Sequence, residues 1–136
     1  MSSVFSKESN DLRCFKDLCD QGNKPDGYET IVEKIKKIWT KVLPQRELII
    51  EKFEAKAKYK EELYKAGSMS DGERVCLYLI SQCLITPENH IIVIDEPEIH
   101  LHTSIMKKLW DEMFYMNTDN LGLLRKKLYL DFNEEE

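Results

Sequence analysis

Two adjacent carboxylates follow a short run of aliphatic residues. Residues 91–94 are Ile-Ile-Val-Ile, and Asp95 and Glu96 come directly after them. A continuous β-branched run predicts a strand buried on both faces in a parallel sheet, and ligands of such sheets bind beyond the carboxyl ends of the strands. Asp95 would hold Mg²⁺ through water, and Glu96 would orient or deprotonate a water that attacks a phosphate. The alternative is that the two acids merely cap a loop.

A second segment upstream has the features of a phosphate-binding helix start. Residues 68–74 are Ser-Met-Ser-Asp-Gly-Glu-Arg, in which Ser70 and Glu73 have the S-x-x-E spacing of a capping box. A helix N-terminus with free N–H groups, a Ser hydroxyl and a Gly that permits close approach can bind phosphate. Asp71 and Glu73 oppose this interpretation, because their charges would repel phosphate. A simple capping box is the alternative.

The order of these segments, SMSDGER, helix and IIVIDEPEIHLH, resembles the ATP-binding cassette (ABC) superfamily. The resemblance is to its soluble branch, the AAA-type ATPases related to the overcoming-lysogenization-defect (OLD) proteins and, more distantly, to the RecF and Rad50 group. Residues 69–73 stand where the ABC signature lies, and residues 97–102 cover the D-loop region. The match is specific over residues 67–112 and weaker over residues 26–66, and both chain ends fall outside it.

The resemblance implies a role for each matching residue. Ser70, Gly72 and Glu73 would contact ATP, Asp95 would match Walker B and hold Mg²⁺, and Glu96 would be the catalytic glutamate. ABC ATPases hold the nucleotide between the Walker motifs of one head and the signature of another. The chain would therefore contribute its signature in trans to an ABC-type partner head.

Two motifs of that family are missing from the sequence. A Walker A loop has the form G-x-x-x-x-G-K-[ST], and the only glycines with this spacing, Gly22 and Gly27, are followed by Tyr28 and Glu29. The family's switch histidine comes after the helix that follows Walker B, whereas all three histidines here precede residue 103. The expected fold class is α/β, a partial P-loop NTPase (ABC ATPase head) fold lacking the Walker A half. Such a chain would be a truncated form of a longer protein or a split-gene subunit.

His100 and His102 have an H-x-H spacing close to Asp95, Glu96 and Glu98, so a metal cluster is an alternative to be weighed. The resemblance accounts for the pair differently, as a D-loop feature that packs or contacts across a dimer.

Periodicity predicts the elements that position these residues. Pro44 and Pro87 stop the first two helices. A Leu-rich piece of the tail, residues 128–132, is a candidate edge strand. The predicted elements are a helix over 28–43, strands within 47–59, a helix over 71–85, a strand over 91–94 and a helix from 103.

These elements divide the chain into four segments. Residues 1–27 are a polar segment or linker, and residues 28–66 contain a helix plus a β segment. Residues 67–116 contain the signature helix, the Walker B strand and the following helix, and residues 117–136 form a tail.

Composition limits the function classes. The 136 residues carry a net charge of −5, which is the opposite of a generally basic nucleic-acid binder. Residues 33–65 nevertheless carry ten Lys or Arg against six Glu. This excess indicates either a DNA-facing surface or, as we favour, alternating charge on a solvated strand face. The sequence has no membrane span or signal peptide and no CxxC pair, so we expect a cytoplasmic protein whose four cysteines are reduced and buried.

The function that follows is ATP binding and hydrolysis, with ATP and Mg²⁺ as cofactors, in a DNA-related or phage-defence ATPase. DNA is a candidate partner. The alternative is a degenerate, non-catalytic ABC half that regulates an intact head. In the family, the neighbours of strand 91–94 carry Walker A and the switch histidine, and neither is encoded here. We therefore also expect the chain to self-associate or bind a partner head, burying an exposed sheet edge and the helix face of Ile105, Leu109 and Met113.

Overall fold

The computed structural model describes residues 1–20, 29–51, 54–87, 92–94, 99–116 and 128–130. Helices and strands alternate along the chain as in a mixed α/β domain. The elements are α1 (Ser2–Asp20), α2 (Ile31–Val42), β1 (Glu47–Glu51), β2 (Glu54–Tyr59), β3 (Glu62–Lys65), a 3₁₀ turn (Ala66–Ser68), α3 (Asp71–Ile85), β4 (Ile92–Ile94), α4 (Thr103–Met116) and β5 (Leu128–Leu130).

Helix α2 lies at the centre of the described core and confirms the predicted helix, with its ends moved inward. Thr30 is the N-cap and forms a reciprocal capping box with Glu33, which fixes the first turn. The buried positions recur at helical spacing, and Ile35 and Trp39 are completely buried. Leu43 caps the helix just before Pro44, as the proline predicts.

The N-terminal segment differs from its prediction. Residues 2–20 form the helix α1, whereas the sequence indicated a polar segment or linker over 1–27. The helix was not evident because Val4 is its one buried apolar side chain among those described, with Phe5 half-buried beside it. Three charged side chains, Lys7, Glu8 and Asp11, also contact the core, and apolar periodicity cannot detect such contacts.

The three-stranded sheet is antiparallel with strand order β1-β2-β3, which confirms strands within 47–59 and adds β3. Alternation places Leu48, Ile50, Ala55 and Ala57 on the buried face. The charge excess does not lie on this sheet, because residues 47–65 carry five Lys and five Glu. Residues 33–46 carry five cations and one Glu, so our interpretation as a strand-face pattern is wrong and the excess belongs to α2 and its C-terminal end.

Strand β4 pairs in parallel with β5, in the register Ile92 to Leu128 and Ile94 to Leu130. The tail therefore supplies the neighbouring strand that its Leu-rich piece predicted. Ile92 and Ile94 pack on the core but are only half-buried, so burial on both faces was an overestimate for these two side chains.

Helices α3 and α4 complete the core. Ile80 and Leu109 are fully buried, and Met113 is nearly so. The prediction that a partner covers the Ile105, Leu109 and Met113 face is wrong for the last two residues, because both are already buried within this chain. Helices α2 and α3 both lie in contact with α4.

The cysteines fit their expectation only in part. Cys76 and Cys83 are buried and free, and burial raises the pKa of the Cys76 thiol to about 12. Cys14 is also free but exposed on α1, so the expectation of buried thiols fails there. Within the described ranges, no helix is both long and apolar enough to cross a bilayer.

Candidate functional site

The first turn of α3 is organised by a complete capping box. Ser70 has extended backbone geometry and precedes the helix, and its Oγ accepts a hydrogen bond from the Glu73 N–H at 3.3 Å. The Glu73 Oε2 accepts both the Ser70 N–H and the Ser70 hydroxyl at 2.8 Å. The predicted S-x-x-E interaction is therefore confirmed in both directions.

The other oxygen of Glu73 receives two further donors. The Arg46 Nε donates at 2.8 Å and the Tyr64 hydroxyl at 2.5 Å, both to Oε1. The carboxylate is buried, with 7% of the residue exposed, and the guanidinium of Arg46 compensates its charge. Glu73 thus ties the start of α3 to the end of α2 and to β3.

The pKa values follow from this network. Burial alone would raise the pKa of Glu73, but the hydrogen bonds from Tyr64 and Ser70, together with the Arg46 charge, hold it below its usual value. Burial and the contact with Glu73 raise the pKa of Tyr64 to about 12. At neutral pH the network therefore contains a charged Glu73 and a neutral Tyr64.

Arg46 is itself held in place by aromatic residues. Its guanidinium carbon lies 3.6 Å from the centroid of the Tyr59 ring, and its carbonyl oxygen accepts the Trp39 Nε1–H at 2.8 Å. Sequence reasoning missed Arg46, Tyr59 and Tyr64 as contributors to this region. A buried Glu in a capping box needs a cationic partner, and this requirement was the available signal.

Gly72 brings the α3 start against the segment that follows the acidic pair. A Cβ at this position would lie 3.1 Å from the carbonyl oxygen of His100 and 3.9 Å from Leu101 Cδ2. The glycine therefore permits a close approach, but the approach within this chain is to the backbone at His100. Two regions that the sequence singled out meet here, residues 69–73 and the described part of residues 97–102.

Asp71 and Arg74 lie on the exposed side of the same turn. Their side chains form an ion pair, and both are more than half exposed. The hydrogen bond and charge of Arg74 lower the pKa of Asp71, and His100 contributes weakly in the same direction. The carboxylate of Asp71 is therefore partly compensated by its neighbour.

His100 and His102 are both exposed, and the structure gives His102 a local role. Its Nδ1 lies 2.9 Å from the Ser104 Oγ and accepts the Ser104 N–H at 3.3 Å, while its carbonyl oxygen accepts from Ile105 and Met106. His102 thus caps the start of α4. In the part of the chain that the structure describes, no three residues form a group that could hold a metal ion.

Asp95, Glu96 and Glu98 lie outside the described residues, and so does His90. The structure describes the strand β4 that leads to the acidic pair and, from residue 99, the segment after it. The roles of Asp95 and Glu96 therefore stay predictions.

Comparisons with known proteins agree with this architecture. A solved structure from work on the structural biochemistry of ATP-driven dimerization and DNA stimulated activation of SMC ATPases is similar, with a TM-score of 0.55 and 18% sequence identity over 77% of this chain and 68% of that chain. At this identity the likeness shows the fold, an α/β fold of the P-loop NTPase type. No curated protein matches the sequence significantly.

A match to a protein-family model identifies the family, which the structural likeness does not. The model described as "AAA domain, putative AbiEii toxin, Type IV TA system" matches residues 12–124, most of the chain. Together the two findings confirm the coarse prediction of an AAA-type domain with an α/β fold of the P-loop NTPase type. The chain belongs to this AAA domain family.

Proposed function

We propose that the chain is the part of an ABC-type ATPase of the OLD-like branch that carries the signature and Walker B, and that it takes part in ATP binding and hydrolysis. The observation that carries this proposal is the start of α3. There an exposed Ser70 and a Gly72 open a helix whose buried carboxylate, Glu73, is compensated by Arg46.

This arrangement removes the main objection to a phosphate-binding role. A free Glu73 would repel phosphate, but its two oxygens accept hydrogen bonds from Ser70, Arg46 and Tyr64, and the side chain is buried. Asp71 is paired with Arg74. The N–H groups of the first turn have no partner within a helix, and the helix dipole favours an anion there. Gly72 would contact phosphate through its N–H, and the Ser70 hydroxyl would do so by exchanging Glu73 Oε2 for a phosphate oxygen. Glu73 would position Ser70.

Asp95 and Glu96 would supply the metal-binding and catalytic groups of the proposed site. Carboxylates are the ligands that Mg²⁺ prefers, so Asp95 fits a role in holding the ion through water. When bound, Mg-ATP would supply the phosphate that is transferred to water. Glu96 would orient or deprotonate that water. The close approach of Gly72 to the His100 backbone supports an arrangement in which the D-loop region, with His100 and His102, lies beside the signature.

The partner side of the proposal rests on the comparisons. The similar SMC structure is described in terms of ATP-driven dimerization and DNA stimulation, and the family description refers to a putative toxin of a Type IV TA system. We propose accordingly that this chain associates with an ABC-type head, its own copy or another, in a DNA-related or phage-defence system.

A second function, a non-catalytic regulatory module, is favoured by one specific observation. The sequence contains no G-x-x-x-x-G-K-[ST] segment, so the chain lacks the phosphate cradle of its family. In this case the start of α3 would serve only to bind an intact head.

Co-purification with the product of an adjacent reading frame that encodes a Walker A motif tests both functions. If the chain is part of the ATPase, the complex hydrolyses ATP. Glu96→Gln then abolishes turnover but preserves nucleotide-dependent association, and Asp95→Asn weakens binding of the Mg-nucleotide itself. Glu61→Gln is the control, because Glu61 is exposed and lies outside the proposed site, and turnover should be unchanged.

Two outcomes would contradict the proposal. Equal hydrolysis by the wild type and Glu96→Gln would exclude the assigned role of Glu96. Association without turnover in the wild type would favour the regulatory module. Calorimetry on the chain alone should show ATP affinity weaker than micromolar. A micromolar affinity, which corresponds to a binding free energy of about −8 kcal/mol, would contradict this expectation.

A further inference from the structure

The described side chains of α1 that contact the core form one stripe. The stripe, hereafter the docking stripe, consists of Val4, Phe5, Lys7, Glu8 and Asp11, which are spaced to lie on one helix face. Two of its members are apolar and three are charged. The described side chains beyond Asp11, at residues 12–14 and 17, are all exposed.

Two carboxylates of the docking stripe bind the start of α2. The Asp11 Oδ2 accepts the Ile31 N–H, and the Glu8 Oε2 accepts the Val32 N–H, each at 3.0 Å. These are the first two amides of the helix, which lack partners within it. The contacts place negative charge at the positive end of the α2 dipole, which is the favourable arrangement.

The cation of the docking stripe binds the opposite kind of helix end. The Lys7 Nζ donates to the Leu84 carbonyl oxygen at 2.7 Å, within the last turn of α3. Positive charge there complements the negative end of the α3 dipole. Helix α1 therefore connects the start of α2 to the end of α3, while Arg46 and Glu73 connect the two helices at their other ends.

We infer that α1 is a detachable helix, which docks and undocks as a unit and whose described contacts, apart from the buried Val4 and the half-buried Phe5, are charge contacts with two helix ends. Such contacts are screened by salt, whereas the apolar packing between α2, α3 and α4 is not weakened in this way. The docking stripe precedes residue 12, where the family match begins, and the inference does not rest on the proposed ATPase function.

Amide hydrogen exchange on the full chain tests this inference. In the double variant Glu8→Gln and Asp11→Asn, which keeps side-chain shape and removes both charges, the amides of α1 and those of Ile31 and Val32 should exchange about tenfold faster. The amides of residues 76–81 in α3 should keep their protection. Raising the salt concentration of the wild type to about 1 M should have the same selective effect.

Asp17→Asn is the matched control, because Asp17 is exposed on the same helix. It removes a carboxylate of α1 outside the docking stripe and should leave exchange unchanged. The inference is overturned if α1 and residues 76–81 always lose protection together, since α1 is then an integral part of the core. It is also overturned if α1 exchanges as a free peptide in the wild type, or if the double variant behaves like the control.

Discussion

The starts of α2 and α3 carry the same motif in two different settings. Thr30 with Glu33 and Ser70 with Glu73 both form reciprocal capping boxes. At α2, α1 closes the helix end, because the carboxylates of Glu8 and Asp11 occupy the next two amides. At α3, the additional contacts go to the Glu73 carboxylate from Arg46 and Tyr64, and the exposed side of the turn carries Ser70 and Gly72.

The difference shows that a capping box alone does not decide whether a helix start can bind a ligand. In α2 the extra charge near the amides is negative and belongs to the chain itself, so an external anion is excluded. In α3 the charge of Glu73 is drawn inward and compensated by Arg46, and the exposed Asp71 is paired with Arg74. The surrounding charges therefore decide whether the amides of a helix start are available to phosphate.

Removing the capping glutamate should produce the largest difference in stability between the two helix starts. Glu73→Ala leaves Arg46 and Tyr64 without their shared acceptor, and we expect a loss of about 2–3 kcal/mol in the free energy of unfolding. Glu33 is exposed, so Glu33→Ala should cost about 0.5 kcal/mol. Urea denaturation of both variants measures the difference, and equal losses would show that Arg46 contributes nothing to the network.

Removing the capping hydroxyl should produce similar losses of stability and different losses of function. Ser70→Ala and Thr30→Ala should each cost about 1 kcal/mol of unfolding free energy, the usual value of an N-cap. Only Ser70→Ala should weaken nucleotide-dependent association with a partner head, measured by sedimentation with and without Mg-ATP. If Thr30→Ala weakens association to the same degree, stability alone explains the loss.

Adding a methyl group to the glycine at the α3 start tests the close approach to His100. Gly72→Ala would bring its Cβ to 3.1 Å from the His100 carbonyl oxygen, whereas a Cβ at Gly67 meets no atom within 4 Å. We expect Gly72→Ala to be less stable than Gly67→Ala by about 1 kcal/mol. Thermal unfolding of the two variants gives the comparison. A Gly72→Ala protein at least as stable as Gly67→Ala would show that the backbone at His100 moves to accommodate the methyl group without loss of stability.

The last expected effect is a loss of stability in alkali. The pKa of Tyr64 is raised from 10.0 to about 12 in the folded chain, so its contribution is complete below pH 10 and is lost as the pH rises toward 12. Tyr64→Phe should flatten the fall of the urea midpoint over this range. Tyr78→Phe is the control, because Tyr78 is 62% exposed. Identical pH profiles for the two variants would contradict the assignment.

The sequence predicted the parts of the fold in which apolar periodicity and local chemistry agree. The α2 and α3 helices, the strands within 47–59 and the Ser70 to Glu73 box all follow from residues that are close in sequence. The sequence did not predict the role of α1. Its docking depends on hydrogen bonds from amides that lie 20 and 24 residues further along the chain to Asp11 and Glu8. The partners of Glu73 were missed for the same reason, since Arg46 comes from another element and only the fold brings it close.

Amide chemical shifts measured by NMR during titration with millimolar Mg-ATP test the central claim most directly. The claim is that the start of α3 is open to phosphate and the start of α2 is closed. The account predicts shifts centred on Asp71 and Gly72 and none at Ile31 and Val32, even though binding by this chain alone is weak. Equal shifts at both helix starts, or shifts at Ile31 and Val32 with none at Asp71 and Gly72, would contradict it.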